Sequence, residues 1–319
     1  MQKGPRLAQL APLVFLPVRH RLLAWVVVAA VVGVLLPRGS AVLNPLVPIF
    51  LAGQVLGVAL QLTPGEIRAA LGQIRLIGLA LLVQWTVIPG LGLLLHLVAP
   101  TPVLATGIVI CAVCPAEITS GLMATIAGGD ISIAMACMSG SLALSIVLTP
   151  LWLKVGLGSG VHFNPTSLAL ELALCVLLPL LVGITIRTRF PAVARWRHLF
   201  LDVSAACLVL VVLAGTTSAS SVLTSAAIFT MLPLVLALLA GSALVGWGFG
   251  RALRLHRRQA AAVGFPIGIR EFGVAIAVAV VVAPHASAVG GVYGIVMVAA
   301  AGTLATRLGG RHRLELQTE

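Results

Sequence analysis

The sequence predicts an all-α polytopic membrane protein: ten transmembrane helices in two inverted five-helix repeats, with the fourth and ninth helices discontinuous. Three observations carry this. Of the 319 residues, 60% are hydrophobic and only 9% charged, whereas about a quarter of the residues in a soluble domain are charged. The apolar residues fall into ten runs of membrane-crossing length. The fourth run of each set of five is interrupted by proline and glycine with ionisable residues alongside. Five spans per set is an odd number, so the second set runs upside down relative to the first, the arrangement of many secondary transporters.

A helix needs about 20 mainly apolar residues to cross a bilayer, fewer when its ends snorkel. The first set is Leu22–Leu36, Val42–Leu62, Ile74–Leu97, Val103–Ala127 with a break near Pro115, and Ile131–Val155. The second is Pro165–Ile186, Leu199–Ala214, Ala227–Gly250, Gln259–Ala283 with a break near Pro266, and Ala286–Thr306. The chain thus divides into an N-terminal segment over 1–21, a first repeat over 22–155, a second over 165–306 and a tail over 307–319. A cleaved signal peptide would remove the first span, which the repeat requires.

The cations test the span count. With the N-terminus inside, cytoplasmic segments collect Lys3, Arg6, Arg19 and Arg21, then Arg68 and Arg75, then Arg187, Arg189, Arg195 and Arg197. They continue with Arg251, Arg254, Arg257 and Arg258, and end with Arg307, Arg311 and Arg313. That is seventeen of the twenty Lys and Arg residues, against Arg38 and Lys154 outside and Arg270 within a span. The asymmetry fits both termini in the cytoplasm of an inner or plasma membrane. The net charge of +12 therefore reads as orientation in lipid rather than nucleic-acid binding, since aromatic residues are sparse.

The most costly stretch to bury is Gly264–Gly273, Gly-Phe-Pro-Ile-Gly-Ile-Arg-Glu-Phe-Gly, which sets Arg270 beside Glu271 in an apolar run. Pro266 and Gly268 disfavour continuous helix, so the ninth span is expected to lose its hydrogen bonds there and resume near Glu271. Its counterpart is Cys114–Gly121, with Pro115, Glu117, Ser120 and Gly121. Broken backbone at membrane depth survives only inside protein or beside a wet cavity, and buried ionisable groups there point to a transport site. Glu117, Ser120 and Gly121 could share a helical face as a carboxylate, a hydroxyl and open backbone. If both carboxylates ionise, Glu117, Glu271 and Arg270 sum to one negative charge, which a bound cation or a proton must cancel. Arg270 and the half-helix N-termini favour an anionic cargo.

Other features read more simply. Asp130 is the expected N-cap of the fifth span. Gln84 is a lone amide five residues before Pro89 and a candidate site residue. Ser132, Ser139, Ser141 and Ser145 are expected to hold helices together, and Thr216 to Ser221 to form an outside loop. Cys111, Cys114, Cys137, Cys175 and Cys207 lie within spans and imply no disulfide framework. Neither they nor the seven histidines are spaced for a metal site. Ser120 with Glu117 is the one candidate pairing for an intramembrane enzyme, with no buried histidine to serve it, so no enzymatic role is expected. No phosphate-binding loop suggests ATP-driven transport.

Two segments resemble the bile acid:sodium symporter family. Pro115-Ala-Glu-Ile-Thr-Ser-Gly, followed by Ala127-Gly-Gly-Asp and Leu148-Thr-Pro-Leu, is similar to its Pro-Gly-Gly-x-x-Ser-Asn motif with a later Gly-Asp and Pro-Leu. Gln84-Trp-Thr-Val-Ile-Pro89 and the stretch ending Phe272-Gly-Val-Ala resemble its third-span and ninth-span motifs. The resemblance implies that the fourth and ninth helices cross at their breaks. It also implies a core domain (helices 3–5 and 8–10) that moves against a panel (helices 1, 2, 6 and 7), carrying organic anions by sodium symport. Of the sodium ligands it implies, Gln84 and Ser120 match. Gly121, Ala134, Met138, Pro266 and Arg270 replace the others, so a proton becomes the alternative coupling ion, with Arg270 standing in for a bound cation. Arsenite-efflux permeases, similar in architecture, offer a second comparison through Cys114 and Glu271.

Overall fold

The computed structural model describes residues 22–37, 41–158, 161–221 and 225–318. The expected segment over 1–21, with its four cations, and Arg38 lie outside them. The helices are α1 (Leu22–Leu35), α2 (Val47–Ala59), α3 (Pro64–Leu71), α4 (Ile74–Leu97), α5 (Pro102–Ala112), α6 (Ser120–Ile126) and α7 (Ile131–Leu157). Then come α8 (Pro165–Arg189, through a π turn over Ala173–Leu177), α9 (Arg197–Ser218), α10 (Ser225–Ala252), α11 (Arg257–Gly268), α12 (Phe272–Val282) and α13 (Ser287–Thr318). Seven helices are long and apolar enough to cross a membrane, and three shorter apolar ones fall within α1, α5 and α12. The protein is an all-α multi-pass membrane protein.

Local chemistry explains the helix starts. Thr63 and Glu66 form a capping box at α3, with the Glu66 amide donating to Thr63 Oγ1 (3.2 Å) and the Thr63 amide to Glu66 Oε2 (2.8 Å). Thr101 caps α5 ahead of Pro102. Asp130 Oδ1 accepts from the Ser132 and Ile133 amides (2.9 and 3.3 Å), the N-cap the sequence predicts for α7. The tight turn before it places Gly128 at φ 83°, where a side chain would be strained.

Helix α9 packs on α1 and α2, and α2 also on α8. Separately, α10 lies along α11, α11 contacts α6 and α7, and α13 contacts α5, α10 and α12. The α10–α11 contact depends on small residues: a Cβ on Gly246 would sit 2.6 Å from the Gly264 carbonyl oxygen.

The structure differs from the sequence expectations in three places. Pro266 lies in the last turn of α11, and the backbone departs from helix only at Ile269–Glu271; proline's fixed φ suits helix, and only its missing N–H is lost. Thr216, Thr217 and Ser218 are not loop. They complete α9, returning their hydroxyls to the carbonyls of Val212, Leu213 and Ala214. Helix α13 runs past Thr306 to Thr318 rather than giving way to a tail at 307.

Candidate functional site

Two interrupted helices meet at their gaps. Between α5 and α6 the backbone is open from Val113 to Thr119, and between α11 and α12 from Ile269 to Glu271. The gaps pair as one antiparallel β bridge, Ala116 opposite Arg270. The Glu117 amide donates to the Ile269 carbonyl (3.1 Å) and the Glu271 amide to the Pro115 carbonyl (2.9 Å). Each broken segment thus satisfies backbone groups that its own helix has abandoned.

Extended geometry then sorts the side chains. Neighbours along a strand point to opposite faces, so Arg270 and Glu271 diverge by more than a helix would allow. Glu117 and Glu271 are diagonal partners across the bridge and share one face, within reach for long side chains. Glu117 is therefore not on a helical face with Ser120 and Gly121, as the spacing suggested. It lies in the extended link, and α6 begins at Ser120.

On its own face, Arg270 is 1% exposed and meets oxygen acceptors rather than either carboxylate. Its Nη2 donates to the Pro266 and Ile267 carbonyls (2.7 and 2.5 Å) and its Nη1 to the Cys114 carbonyl (3.5 Å). The Gln84 amide is assigned from its surroundings. With its oxygen turned to the donors, it accepts from Arg270 Nη1 (2.9 Å), the Ala116 amide (3.0 Å) and Ser141 Oγ (2.5 Å). The Tyr293 hydroxyl accepts from the Arg270 amide (3.0 Å). The guanidinium thus sits at the C-terminal ends of α5 and α11, where cations are favoured.

Glu271 occupies the opposite ends. Its carboxylate accepts from the Ile118 amide (2.8 Å), the Gly273 amide (3.1 Å) and Gln54 Nε2 (3.1 Å), so it caps α12 and reaches the N-terminal turn of α6. Glu117 Oε1 accepts from the Thr119 amide (3.4 Å) and hydroxyl (3.2 Å). Its Oε2 has no hydrogen-bond partner, and the side chain shares the face of the bridge from which Glu271 projects. Both glutamates are fully buried, as is Ser120, whose Oγ has no partner. A Cβ at Gly121 would sit 2.4 Å from Met135 Sδ, so that glycine serves packing against α7.

Helix ends make the charge count informative. Each terminus carries about half an elementary charge, positive at the N-end and negative at the C-end. Arg270 offsets the two C-ends and one carboxylate offsets the two N-ends. The second carboxyl, Glu117, is surplus. Two fully buried carboxyls on one face of the bridge do not both ionise without a compensating ion.

The sequence reading reached Gln84, Glu117, Arg270 and Glu271 but missed Gln54, Ser141 and Tyr293. Gln54 had the signal used for Gln84, a lone amide in an apolar run, and Tyr293 is the only tyrosine in the chain. Ser141 carried no local mark to separate it from the other serines of α7.

The sequence model of the SBF-like CPA transporter family matches residues 21–304. The chain belongs to that family. The SBF-like family is one of transporters rather than enzymes, as the absence of a serviceable nucleophile led us to expect. The chain is 26% identical over 170 residues to the uncharacterized sodium-dependent transporter YocS of Bacillus subtilis, covering 52% of each chain. It is 29% identical over 172 residues to the probable sodium/metabolite cotransporter BASS2, chloroplastic, of Oryza sativa, covering 52% of this chain and 40% of that one. It is 35% identical over 115 residues to the probable sodium/metabolite cotransporter BASS4, chloroplastic, of Arabidopsis thaliana, covering 34% and 26%. The matched stretches span about half or less of those relatives' lengths.

The side chains at the positions where the family resemblance implies sodium ligands do not fit a sodium ion. Ala134 and Met138 are packed into the apolar core, and the Gln84 oxygen is engaged by three donors. Pro266 and Arg270 offer no side-chain oxygen at all. A hard cation is held by several oxygen ligands. Of that set, only the Ser120 hydroxyl remains unengaged.

Proposed function

We propose that this chain is a secondary active transporter of a small organic anion, coupled to a proton carried by the Glu117–Glu271 pair. The single observation behind this reading is the surplus carboxyl at the helix crossing: Arg270 and one carboxylate balance the four helix ends, and the second needs a proton. Arg270 takes the place a bound cation would otherwise hold. A proton taken up with an anion also keeps the loaded site near neutral, which lowers the cost of crossing the apolar interior.

On this reading, ten spans form two inverted repeats, and α4 to α7 with α10 to α13 make a core that moves against α1, α2, α8 and α9. Gln54 on α2 donates to Glu271 on the second broken helix across the two groups, as Ser287 on α13 does to the Gly215 carbonyl of α9. The crossing is sealed in this conformation, with Glu117, Arg270 and Glu271 at most 1% exposed. Parting Gln54 from Glu271 would open it and leave a carboxylate short of one donor, so protonation favours the opened state. Both termini lie on the side that carries the arginine clusters, the cytoplasmic face of an inner or plasma membrane.

The names of the relatives carry sodium, whereas this chain's residues at the positions the family resemblance implies do not fit that ion. An arsenite carrier would need Cys114 with Glu271, yet Cys114 is fully buried and Glu271 is already met by three donors. The test is uptake of radiolabelled organic acids into proteoliposomes under imposed proton or sodium gradients. Uptake driven by an acid-outside gradient without sodium is expected. Strict sodium dependence with no response to the proton gradient would remove the proposal.

A further inference from the structure

A crevice between α10, α11 and α13, lined by none of Glu117, Arg270 and Glu271, has a composition of its own. Its inner part is an apolar cavity of about 410 Å³ lined by Leu239, Gly264, Phe265, Ala300 and Leu304 and ending at Gly268 and Ile269. Trp247 and Ala260 also line an adjoining hollow of about 570 Å³ whose other walls include Arg251 and Arg254. The two spaces adjoin at Trp247 and Ala260, the first greasy and the second basic.

Three features suit this shape to one class of occupant. Helix α11 is 12 residues long, roughly 18 Å at 1.5 Å per residue. That is close to half of a hydrocarbon core about 30 Å thick, so the apolar slot reaches from the arginine-bearing face to mid-membrane, the depth of one leaflet. The slot opens sideways: Trp247, Ala300 and Leu304 are exposed on helices whose outward faces are apolar. At the basic end, Arg251 stacks over Trp247, 5.7 Å from the ring centroid, and Arg254, at φ 50°, stands in the left-handed position of the turn that closes α10, where the Leu255 amide donates to the Gly250 carbonyl (2.9 Å) and the Arg254 amide to the Arg251 carbonyl (3.1 Å).

We infer that this crevice binds one anionic phospholipid, with an acyl chain along α11 and the phosphate against Arg251 and Arg254. Basic clusters beside transmembrane helices at one membrane face recognise anionic headgroups. Guanidinium groups suit phosphate because they donate in pairs. The end of the acyl chain would lie against Gly268 and Ile269, next to the break in the second interrupted helix, so lipid composition would bear on the stability of that crossing. The inference does not rest on the transport reading, because binding is measured without transport.

The test is quenching of Trp247 fluorescence in the purified full chain by phospholipids with brominated acyl chains, using Trp247→Phe to isolate that signal. Brominated phosphatidylglycerol is expected to quench saturably and at several-fold lower concentration than brominated phosphatidylcholine. That preference is expected to vanish in Arg251→Gln/Arg254→Gln, whose changes are at the surface. Ala300→Phe, which fills the slot from an exposed position, is expected to abolish saturable quenching. Thermal unfolding of each variant reports that it is folded. Equal quenching by both headgroups in the wild type would overturn the inference in favour of ordinary annular lipid. Displacement of brominated phosphatidylglycerol by free palmitate as effectively as by unlabelled phosphatidylglycerol would overturn it in favour of a free organic acid.

Discussion

The two interrupted helices share a plan and differ in how they settle their charges. The second arm, α11 to α12, has a gap of three residues. Arg270 returns to its own helix's last carbonyls and Glu271 caps its own next helix. The first arm, α5 to α6, has a longer gap and supplies no cation. It contributes Glu117, with one carboxyl oxygen that has no hydrogen-bond partner, and Ser120, whose hydroxyl has none either. The second arm is electrically complete and holds the crossing together. The first carries the groups left over, and leftover polar groups in a buried site mark where function resides.

The largest effect that bears on this contrast is expected for Arg270→Ala. It leaves the Pro266 and Ile267 carbonyls without their guanidinium donor in a buried site, takes one of three donors from the Gln84 oxygen, and should cost about 3 kcal/mol or more. Uptake should be lost, and a fall in Tm of the purified protein checks the stability cost. Unchanged Tm and uptake at equal expression would remove Arg270 from both roles.

The two glutamates should then separate. Glu271→Gln loses charged acceptance of three donors and is expected to destabilise by roughly 2–3 kcal/mol. Glu117→Gln removes the surplus carboxyl and should change stability by less than about 1 kcal/mol, yet abolish the response of uptake to an imposed proton gradient. Denaturation paired with uptake measures both quantities. The reverse order of stability effects would break the comparison between the arms.

Smaller effects sharpen it. Gln54→Leu removes one buried donor from Glu271 and should cost about 1–2 kcal/mol. Because Gln54 belongs to a different helix group, it should also shift uptake rather than stability alone, as a ratio of KM to maximal rate would show. Asp130→Ala deletes a helix cap remote from the charges. It should cost about 1 kcal/mol and leave uptake per folded molecule unchanged.

How far the sequence reached follows the same division. Spans, gaps and the Asp130 cap are local properties, written in hydropathy runs, prolines and a polar residue ahead of an apolar helix. The position of Glu117 and Glu271 on one face, with Arg270 on the other, follows from an antiparallel bridge between residues more than 150 apart in sequence, and no local pattern encodes that register. The sequence reading therefore expected a helix face for Glu117 and an anion site at the half-helix N-termini. The structure instead fills those N-termini with the protein's own Glu271 and Glu117. Gln54 was legible by the rule that found Gln84. Ser141 was not, since a serine in a membrane helix can satisfy its hydroxyl on its own backbone, as Ser145 does with the Leu142 carbonyl.

The most direct measurement of the central claim is organic-anion uptake into sodium-free proteoliposomes under an acid-outside gradient, wild type against Glu117→Gln. Gradient-driven accumulation by the wild type and only gradient-insensitive equilibration by the variant is the predicted result. Equal gradient-driven accumulation by both proteins would show that the surplus carboxyl at the crossing does not carry the coupling proton.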